Sequence, residues 1–214
     1  MFNSNFSYRS GFQVVLGALL LVFFALPAAA HHPMDYQLPQ TFAQGLLSGF
    51  GHPVIGLDHL AFVIGIGLIA TLVPRGLIAF AAFIGGCLAG CVIHLFSVDL
   101  LVVEPIIAAS IIVAGAILLL QQRISTTVFA IGVGVIGIFH GYAYGESIIG
   151  AEASVLGAYL IGFSVIQYGI GAASYFVVDR LKAKPVTWVE NSIRSAGAVI
   201  GSFGLYTITN HFIA

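Results

Sequence analysis

Charge is what this chain has least of. Only 7% of its 214 residues are charged, whereas 59% are hydrophobic. An ordinary soluble domain carries about 25% charged residues, so the composition excludes that class and indicates an integral membrane protein. The formal net charge of −1 argues against a nucleic-acid partner, and we expect the lipid bilayer instead.

Cysteine and the common catalytic motifs are also scarce. The two cysteines, Cys87 and Cys91, lie in one apolar segment, which argues against a disulfide framework. The chain has no G-x-x-x-x-G-K-[ST] sequence and no H-E-x-x-H sequence. We therefore expect neither an enzyme nor an organic cofactor. An intramembrane zinc hydrolase, with histidine ligands and Glu146 as its base, is the enzyme alternative.

The first 30 residues have the pattern of a signal peptide. A short polar start ends at Arg9, and an apolar run from Val14 to Leu26 follows. Ala28 and Ala30 fit the small-x-small rule for cleavage, and the apolar run is short for a spanning helix. Cleavage after Ala30 would leave residues 31–214 as a single transmembrane domain. The alternative is an uncleaved first helix.

Long apolar runs fill the rest of the chain. Their apolar residues are continuous rather than alternating, which is typical of helices, and runs of about 20 residues can cross the hydrocarbon. The sequence therefore predicts an all-α polytopic membrane bundle of six transmembrane helices. The predicted spans are 52–72, 77–97, 103–121, 126–147, 152–178 and 191–212.

The basic residues predict the orientation. In the mature chain they fall in three loops, which hold Arg75, Arg123 and the stretch from Asp179 to Arg194. Cytoplasmic loops carry the excess of Lys and Arg, so these loops are predicted to lie inside. A secreted mature N-terminus leads independently to the same answer. We therefore expect both termini outside, in a bacterial inner membrane.

The first candidate site opens the first span with the sequence H-P-V-I-G-L-D-H, from His52 to His59. Ionisable groups within a membrane are costly and mark functional sites by default. His52 and His59 are about two helical turns apart and are predicted to share one face, with Asp58 about 100° round the helix. Pro53 fits a first helical turn. Imidazole and carboxylate suit Ni²⁺, Co²⁺ or Zn²⁺.

The second candidate site ends the fourth span with F-H-G-Y-A-Y-G-E. His140 and Tyr144 are predicted to share a face, and Glu146 lies nearer the surface. His140 and His59 each lie about 10 Å from the outer ends of their helices, by the helical rise. The two histidines are therefore expected to meet at one level. The predicted outward-facing metal site consists of His52, Asp58, His59 and His140.

Other polar residues are assigned by depth. His94, a further candidate ligand, shares the outer half with Glu104 and His211, while Gln167 and Tyr168 are assigned to the inner half. A lone histidine often bonds a neighbouring helix, which is the alternative for His94 and His211.

A rival site uses Cys87, Cys91 and His94, which fall on one helical face and would suit Cu(I) or Zn²⁺. Small cysteines are also common in packed helices. His31 and His32 could capture metal if cleavage exposed them.

Glycines recur at helical spacing in two spans. Gly137, Gly141 and Gly145 stand four residues apart, as do Gly197 and Gly201. Small residues at this spacing let helix backbones approach closely, so these faces are predicted to be packing faces.

The two histidine motifs resemble those of the HupE/UreJ family, whose pattern is H-P-x-x-G-x-D-H opening one span and F-H-G-x-A-x-G-E ending another. The resemblance covers nearly the whole chain from His31. It implies a membrane protein linked to nickel or cobalt uptake, often beside hydrogenase or urease genes. By position it implies metal binding by His52, Asp58, His59, His140 and Glu146.

The chain departs from the family pattern in two places. Many relatives carry histidine where this chain has Tyr144, and a phenol is the poorer ligand. The fifth span also lacks a histidine that some relatives have. Both departures leave nickel and cobalt open.

The leading hypothesis is a permease that carries Ni²⁺ or Co²⁺ from the periplasm and supplies metalloenzyme maturation. The alternative is a membrane protein that holds metal for hydrogenase or urease maturation proteins without transporting it.

Overall fold

The computed structural model describes residues 38–213, and within that range the chain is helical apart from turns and short loops. The helices are α1 Phe42–Ile55, α2 Leu57–Ile69, α3 Gly76–Leu95, α4 Val103–Leu120, α5 Thr126–Glu146, α6 Ala153–Leu181 and α7 Val186–Ile213, with a 3₁₀ turn Ala70–Leu72 after α2. The all-α prediction is therefore confirmed for the described residues. The predicted signal peptide and His31 and His32 lie outside them.

Hydroxyl side chains cap the N-termini of α1 and α5. Thr41 Oγ1 accepts the Gln44 N–H at 3.2 Å ahead of α1, and Ser125 Oγ accepts the Val128 N–H at 3.3 Å ahead of α5. Each cap satisfies a backbone donor that has no partner within the first turn of its helix.

α1 and α2 form one bent unit rather than one straight span. The helices turn by 78° at Gly56, whose φ of −71° and ψ of 95° are extended. Pro53 lies in the last turn of α1, where it lacks an N–H for the helix ladder. A continuous span over 52–72, with Pro53 in a first turn and two histidines on one face, is therefore a wrong prediction. His52 belongs to α1 and His59 to α2.

α3 and α5 approach each other backbone to backbone. A Cβ at Gly137 would lie 2.5 Å from the Phe83 carbonyl oxygen, and one at Gly141 would overlap Cys87. Gly90 of α3 faces α5 in the same way. The predicted packing face of the fourth span is confirmed, and α3 is its partner.

Two more helix pairs close on glycines. Gly197 and Gly201 of α7 lie against Gly115 of α4, which confirms the second predicted packing face. Gly45 and Gly49 of α1 lie against the backbone of α6. Close backbone contact compensates for the absence of a hydrophobic driving force between helices in lipid.

α2 occupies the centre of these pairs. It contacts α4, α6 and α7, and Phe62, Val63, Ile66 and Ile69 along it are buried. A helix that is apolar all round is buried in the core of its bundle. His59, near the beginning of α2, contacts His52 of α1 and His140 of α5.

Within residues 38–213, four helices are long and apolar enough to cross a membrane: α3, α4, α5 and α6. The bent α1–α2 unit makes a fifth candidate if it counts as one span. α7 is not among them, and its first half holds Glu190 and Arg194. The count of six spans is therefore not confirmed, whereas a membrane protein with several spanning helices is.

Candidate functional site: an imidazole cluster at the bend between two helices

Three histidines from three helices lie together beside the bend. His52 and His59 are each 5% exposed, and His140 is fully buried. The ring centroids of His59 and His140 are 5.0 Å apart, and those of His52 and His59 are 6.2 Å apart. The expected meeting of the two motifs at one level is therefore observed. The geometry behind this meeting differs from the predicted one, because His59 is the third residue of a helix that begins at the bend.

Gly56 makes room for the His59 ring. A Cβ at Gly56 would lie 2.8 Å from His59 Cδ2. Glycine at this position thus serves the bend and the placement of the imidazole together.

The hydrogen bonds of His140 define its tautomer. Ser110 Oγ donates to the Ile107 carbonyl oxygen at 2.6 Å, and its single hydrogen is used there. His140 Nε2, 3.1 Å from Ser110 Oγ, must therefore carry the proton that bridges them. A neutral His140 then has its lone pair on Nδ1.

This lone pair faces His59. The two Nδ1 atoms are 2.8 Å apart, so His59 Nδ1–H donates to His140 Nδ1. The lone pair of His59 is consequently on Nε2, the ring nitrogen that would be offered to a metal ion. His140 orients His59 in the way that partners of metal-binding histidines do.

His52 is oriented by two hydroxyls. Its Nδ1 lies 3.1 Å from both Ser147 Oγ and Tyr159 Oη. Both hydroxyls are also within donating distance of the Tyr144 carbonyl oxygen, at 3.1 and 2.9 Å. That carbonyl lies in the last turn of α5, where the helix itself supplies no donor. Tyr159 O–H donates to the carbonyl, and the Ser147 hydroxyl donates to the carbonyl or to Tyr159 Oη, which is 3.0 Å away. In either arrangement His52 Nδ1–H donates to the hydroxyl oxygens, and the lone pair of His52 is on Nε2.

Aromatic rings enclose the imidazoles. The Tyr144 ring lies 4.4 Å from the His59 ring and 5.0 Å from the His52 ring. Phe62 stacks on His140 at 4.4 Å. These rings fix the imidazole planes and keep lipid away from them.

Asp58 is half-buried at the start of α2. Its Oδ1 accepts the His59 backbone N–H at 2.8 Å. A carboxylate in the first turn also interacts favourably with the helix dipole. Asp58 therefore fixes the beginning of α2 and lies directly beside the imidazole cluster.

The remaining predicted residues lie elsewhere. Glu146, the last residue of α5, is exposed, as are Glu104 and His211. His94 packs against the Tyr142 ring at 4.2 Å, and its Nδ1 is buried without a hydrogen-bond partner among residues 38–213.

The described part of the chain brings no three His, Cys, Asp or Glu side chains together as a ready metal cage. This finding applies to the predicted set of His52, Asp58, His59 and His140 as well as to the rival set of Cys87, Cys91 and His94. Both cysteines are buried and free.

Several residues of the cluster escaped the sequence reasoning. The hydrogen bonds of the imidazole cluster involve Ser110, Ser147 and Tyr159. Each is a hydroxyl residue within or beside an apolar run, and this isolated polarity is the sequence signal that could have identified them. Gln167, which was assigned to the inner half, accepts the Tyr144 O–H at 3.1 Å. Gln167 lies at the middle of α6, which has 29 residues, and it contacts the cluster through Tyr144.

An apolar cleft of about 330 Å³ lies between α2, α4 and α5, and its lining includes Ser110, the hydrogen-bond partner of His140. Its walls are otherwise mainly isoleucine, valine and phenylalanine, such as Ile117, Val128 and Phe129. A cation has no ligands there, so this cleft does not continue the polar site.

Known proteins share sequence similarity with this chain. A family model described as "HupE / UreJ protein" matches residues 19–207. The Protein HupE of Rhizobium leguminosarum bv. viciae is 33% identical over 157 residues, which cover 70% of this chain and 78% of that protein. No solved structure matches the chain.

Proposed function

The chain belongs to the HupE/UreJ family, and on that premise we propose that it carries Ni²⁺ or Co²⁺ across the bacterial inner membrane. The ion enters from the periplasm and supplies metalloenzyme maturation, with hydrogenase or urease maturation proteins as recipients. The metal ion is the cargo, and no organic cofactor takes part.

The observation that carries this proposal is the proximity of two imidazoles whose Nδ1 atoms are both hydrogen-bonded. His52 and His59 both have Nδ1 engaged by hydrogen bonds and Nε2 as the lone-pair nitrogen. A metal–imidazole bond is about 2.1 Å long, so rings with centroids 6.2 Å apart are spaced as two ligands of one ion. Imidazole nitrogen is a preferred ligand of Ni²⁺ and Co²⁺.

The broken helix supports a transport role. Transporters use discontinuous helices to bring helix ends and loosened backbone to a binding site. The bend at Gly56 lies between His52 and His59, so any change in the angle between α1 and α2 changes the separation of the two ligands. Asp58 adds a negative charge at this bend.

An incomplete cage also suits transport. Conduction requires binding that is strong enough for entry and weak enough for release. Two imidazoles with Asp58 nearby leave part of the coordination sphere to water. Exposed Glu146, at the outer end of α5, attracts cations to the mouth, and half-buried His94 is an additional capture residue. The inner loops are those with Arg75, Arg123 and the stretch from Asp179 to Arg194, so both termini face the periplasm.

A non-transporting metal-holding protein is the second candidate, favoured by the apolar lining of the cleft beside Ser110. The purified chain in sealed proteoliposomes separates the two functions. Transport predicts that radioactive Ni²⁺ or Co²⁺ accumulates inside with time and is lost on addition of detergent. Saturable binding without accumulation would favour the metal-holding protein, and neither binding nor accumulation would refute both.

A further inference from the structure

Gln167 is a buried polar side chain that the histidine motifs do not account for. It is fully buried, and its Oε1 accepts the Tyr144 O–H at 3.1 Å, with Cys87 Sγ at 4.0 Å as a weak second donor. Its Nε2 is buried and has no hydrogen-bond partner within residues 38–213. Turning the amide over would leave Oε1 unpartnered instead, so the observed orientation is the better satisfied one.

A buried donor without a partner is costly, and its persistence calls for an acceptor other than residues 38–213. The Gln167 carboxamide is only one side chain away from the imidazoles, because the Tyr144 ring contacts both His52 and His59. The acceptor is therefore expected next to the site of the cargo.

The surroundings of the cluster leave few polar routes away from it. Beside Ser110 lies the apolar cleft, and Phe163 packs against Tyr144 at 5.5 Å. Among the described residues the fully or nearly buried polar side chains are Ser48, His52, His59, Ser110, His140 and Gln167. Of these, Gln167 is the one whose side chain is hydrogen-bonded to the Tyr144 hydroxyl.

On the basis of the proposed transport, we propose that Gln167 is a further cargo-binding residue. Its amide N–H groups donate to an oxygen of the water shell that the cation retains when imidazoles fill only part of its coordination sphere. Water-mediated contacts of this kind are nearly as favourable as direct ones. Gln167 Oε1 meanwhile holds the Tyr144 hydroxyl away from the metal.

The test compares Gln167→Leu, Tyr144→Phe and the double variant in proteoliposomes, by the Ni²⁺ concentration for half-maximal uptake. Tyr144→Phe removes the Tyr144–Gln167 hydrogen bond alone. Gln167→Leu is expected to raise the half-maximal Ni²⁺ concentration roughly tenfold, as for a lost hydrogen bond to a hydrated cation. The maximal rate is expected to change much less. The half-maximal concentration of Tyr144→Phe is also expected to change much less. Equal shifts in both single variants, with no further shift in the double variant, would mean that Gln167 only anchors Tyr144 and would overturn the proposal.

Two controls keep the outcome clear. Gln167→Met preserves the length of the side chain without donors and is expected to match Gln167→Leu if the latter folds poorly. Ser164→Ala removes another buried α6 hydroxyl that has no partner within residues 38–213 and is expected to leave uptake unchanged.

Failure of the proposed transport can be distinguished from failure of the proposed role of Gln167. If the unaltered chain accumulates no Ni²⁺, the proposed function fails, and Co²⁺ titration of the chain in detergent still tests Gln167. Weaker Co²⁺ binding by Gln167→Leu than by Tyr144→Phe would support its cargo contact, whereas equal binding would refute it.

Discussion

His59 and His140 meet Nδ1 to Nδ1 at 2.8 Å, although 81 positions separate them in the chain. Ser110 holds the far nitrogen of His140 and so decides which nitrogen of His59 has the lone pair. One hydroxyl on α4 thus defines the ligand atom on α2 through a histidine on α5. The predictions below follow from this relay and from the packing that supports it.

Ser110→Ala tests the relay. Without the hydroxyl, His140 Nε2 loses its acceptor, so neither tautomer of His140 is favoured and His59 loses its fixed orientation. Loss of such outer partners typically lowers metal affinity about 10–100-fold. We expect Co²⁺ binding in detergent to weaken by about tenfold or more with little change in thermal unfolding.

The matched control is Ser192→Ala. Ser192 also bonds a backbone carbonyl of its own helix, at Trp188, but has no histidine partner. Co²⁺ affinity that falls equally in both variants would contradict the relay.

Tyr144→His tests the position of the phenol. The Tyr144 ring contacts both His52 and His59, so an imidazole there adds a third ligand of the preferred type. We expect tighter Co²⁺ binding, a stronger visible absorption of bound Co²⁺ and slower uptake, because release becomes harder. Tyr206→His, at an exposed tyrosine of α7, serves as the control. Unchanged Co²⁺ affinity in Tyr144→His would argue that no ion binds beside this ring.

Gly141→Ala tests the packing of α3 against α5. A methyl group at Gly141 overlaps the Cys87 backbone, whereas Gly132 on the same helix has nothing within 4 Å of an added Cβ. Overpacking typically costs about 1–3 kcal/mol. We expect a clearly lower unfolding temperature for Gly141→Ala in detergent and an unchanged unfolding temperature for Gly132→Ala. Equal unfolding temperatures would mean that α3 and α5 are not in close contact.

The sequence predicted the meeting of His59 and His140 better than it predicted the helices that carry the first motif. The motif spacing brought His59 and His140 to one level, because each motif lies near the end of an apolar run. Gly56 and Pro53 are the sequence signals of the bend between α1 and α2, but a proline fits the first turn of a helix equally well. Only the tertiary packing of α2 against its neighbours decides between these alternatives.

Long-range partners were beyond sequence reasoning for a similar reason. Ser110 and Gln167 are single polar residues in apolar runs, and a hydroxyl or amide there can bond its own helix or any neighbour. Their partners depend on helix rotation and tilt, which packing sets. The glycine faces were predictable because close approach has a fixed spacing, whereas the identity of each partner helix was not.

Uptake of radioactive Ni²⁺ by proteoliposomes containing His59→Ala, His140→Ala or both tests most directly that the two imidazoles act as one unit. Each single variant is expected to lose most of the uptake, and the double variant to lose little more, because residues in one network are not additive. His211→Ala, at an exposed histidine, should retain full uptake. Undiminished uptake in either site variant, with normal insertion, would contradict the account.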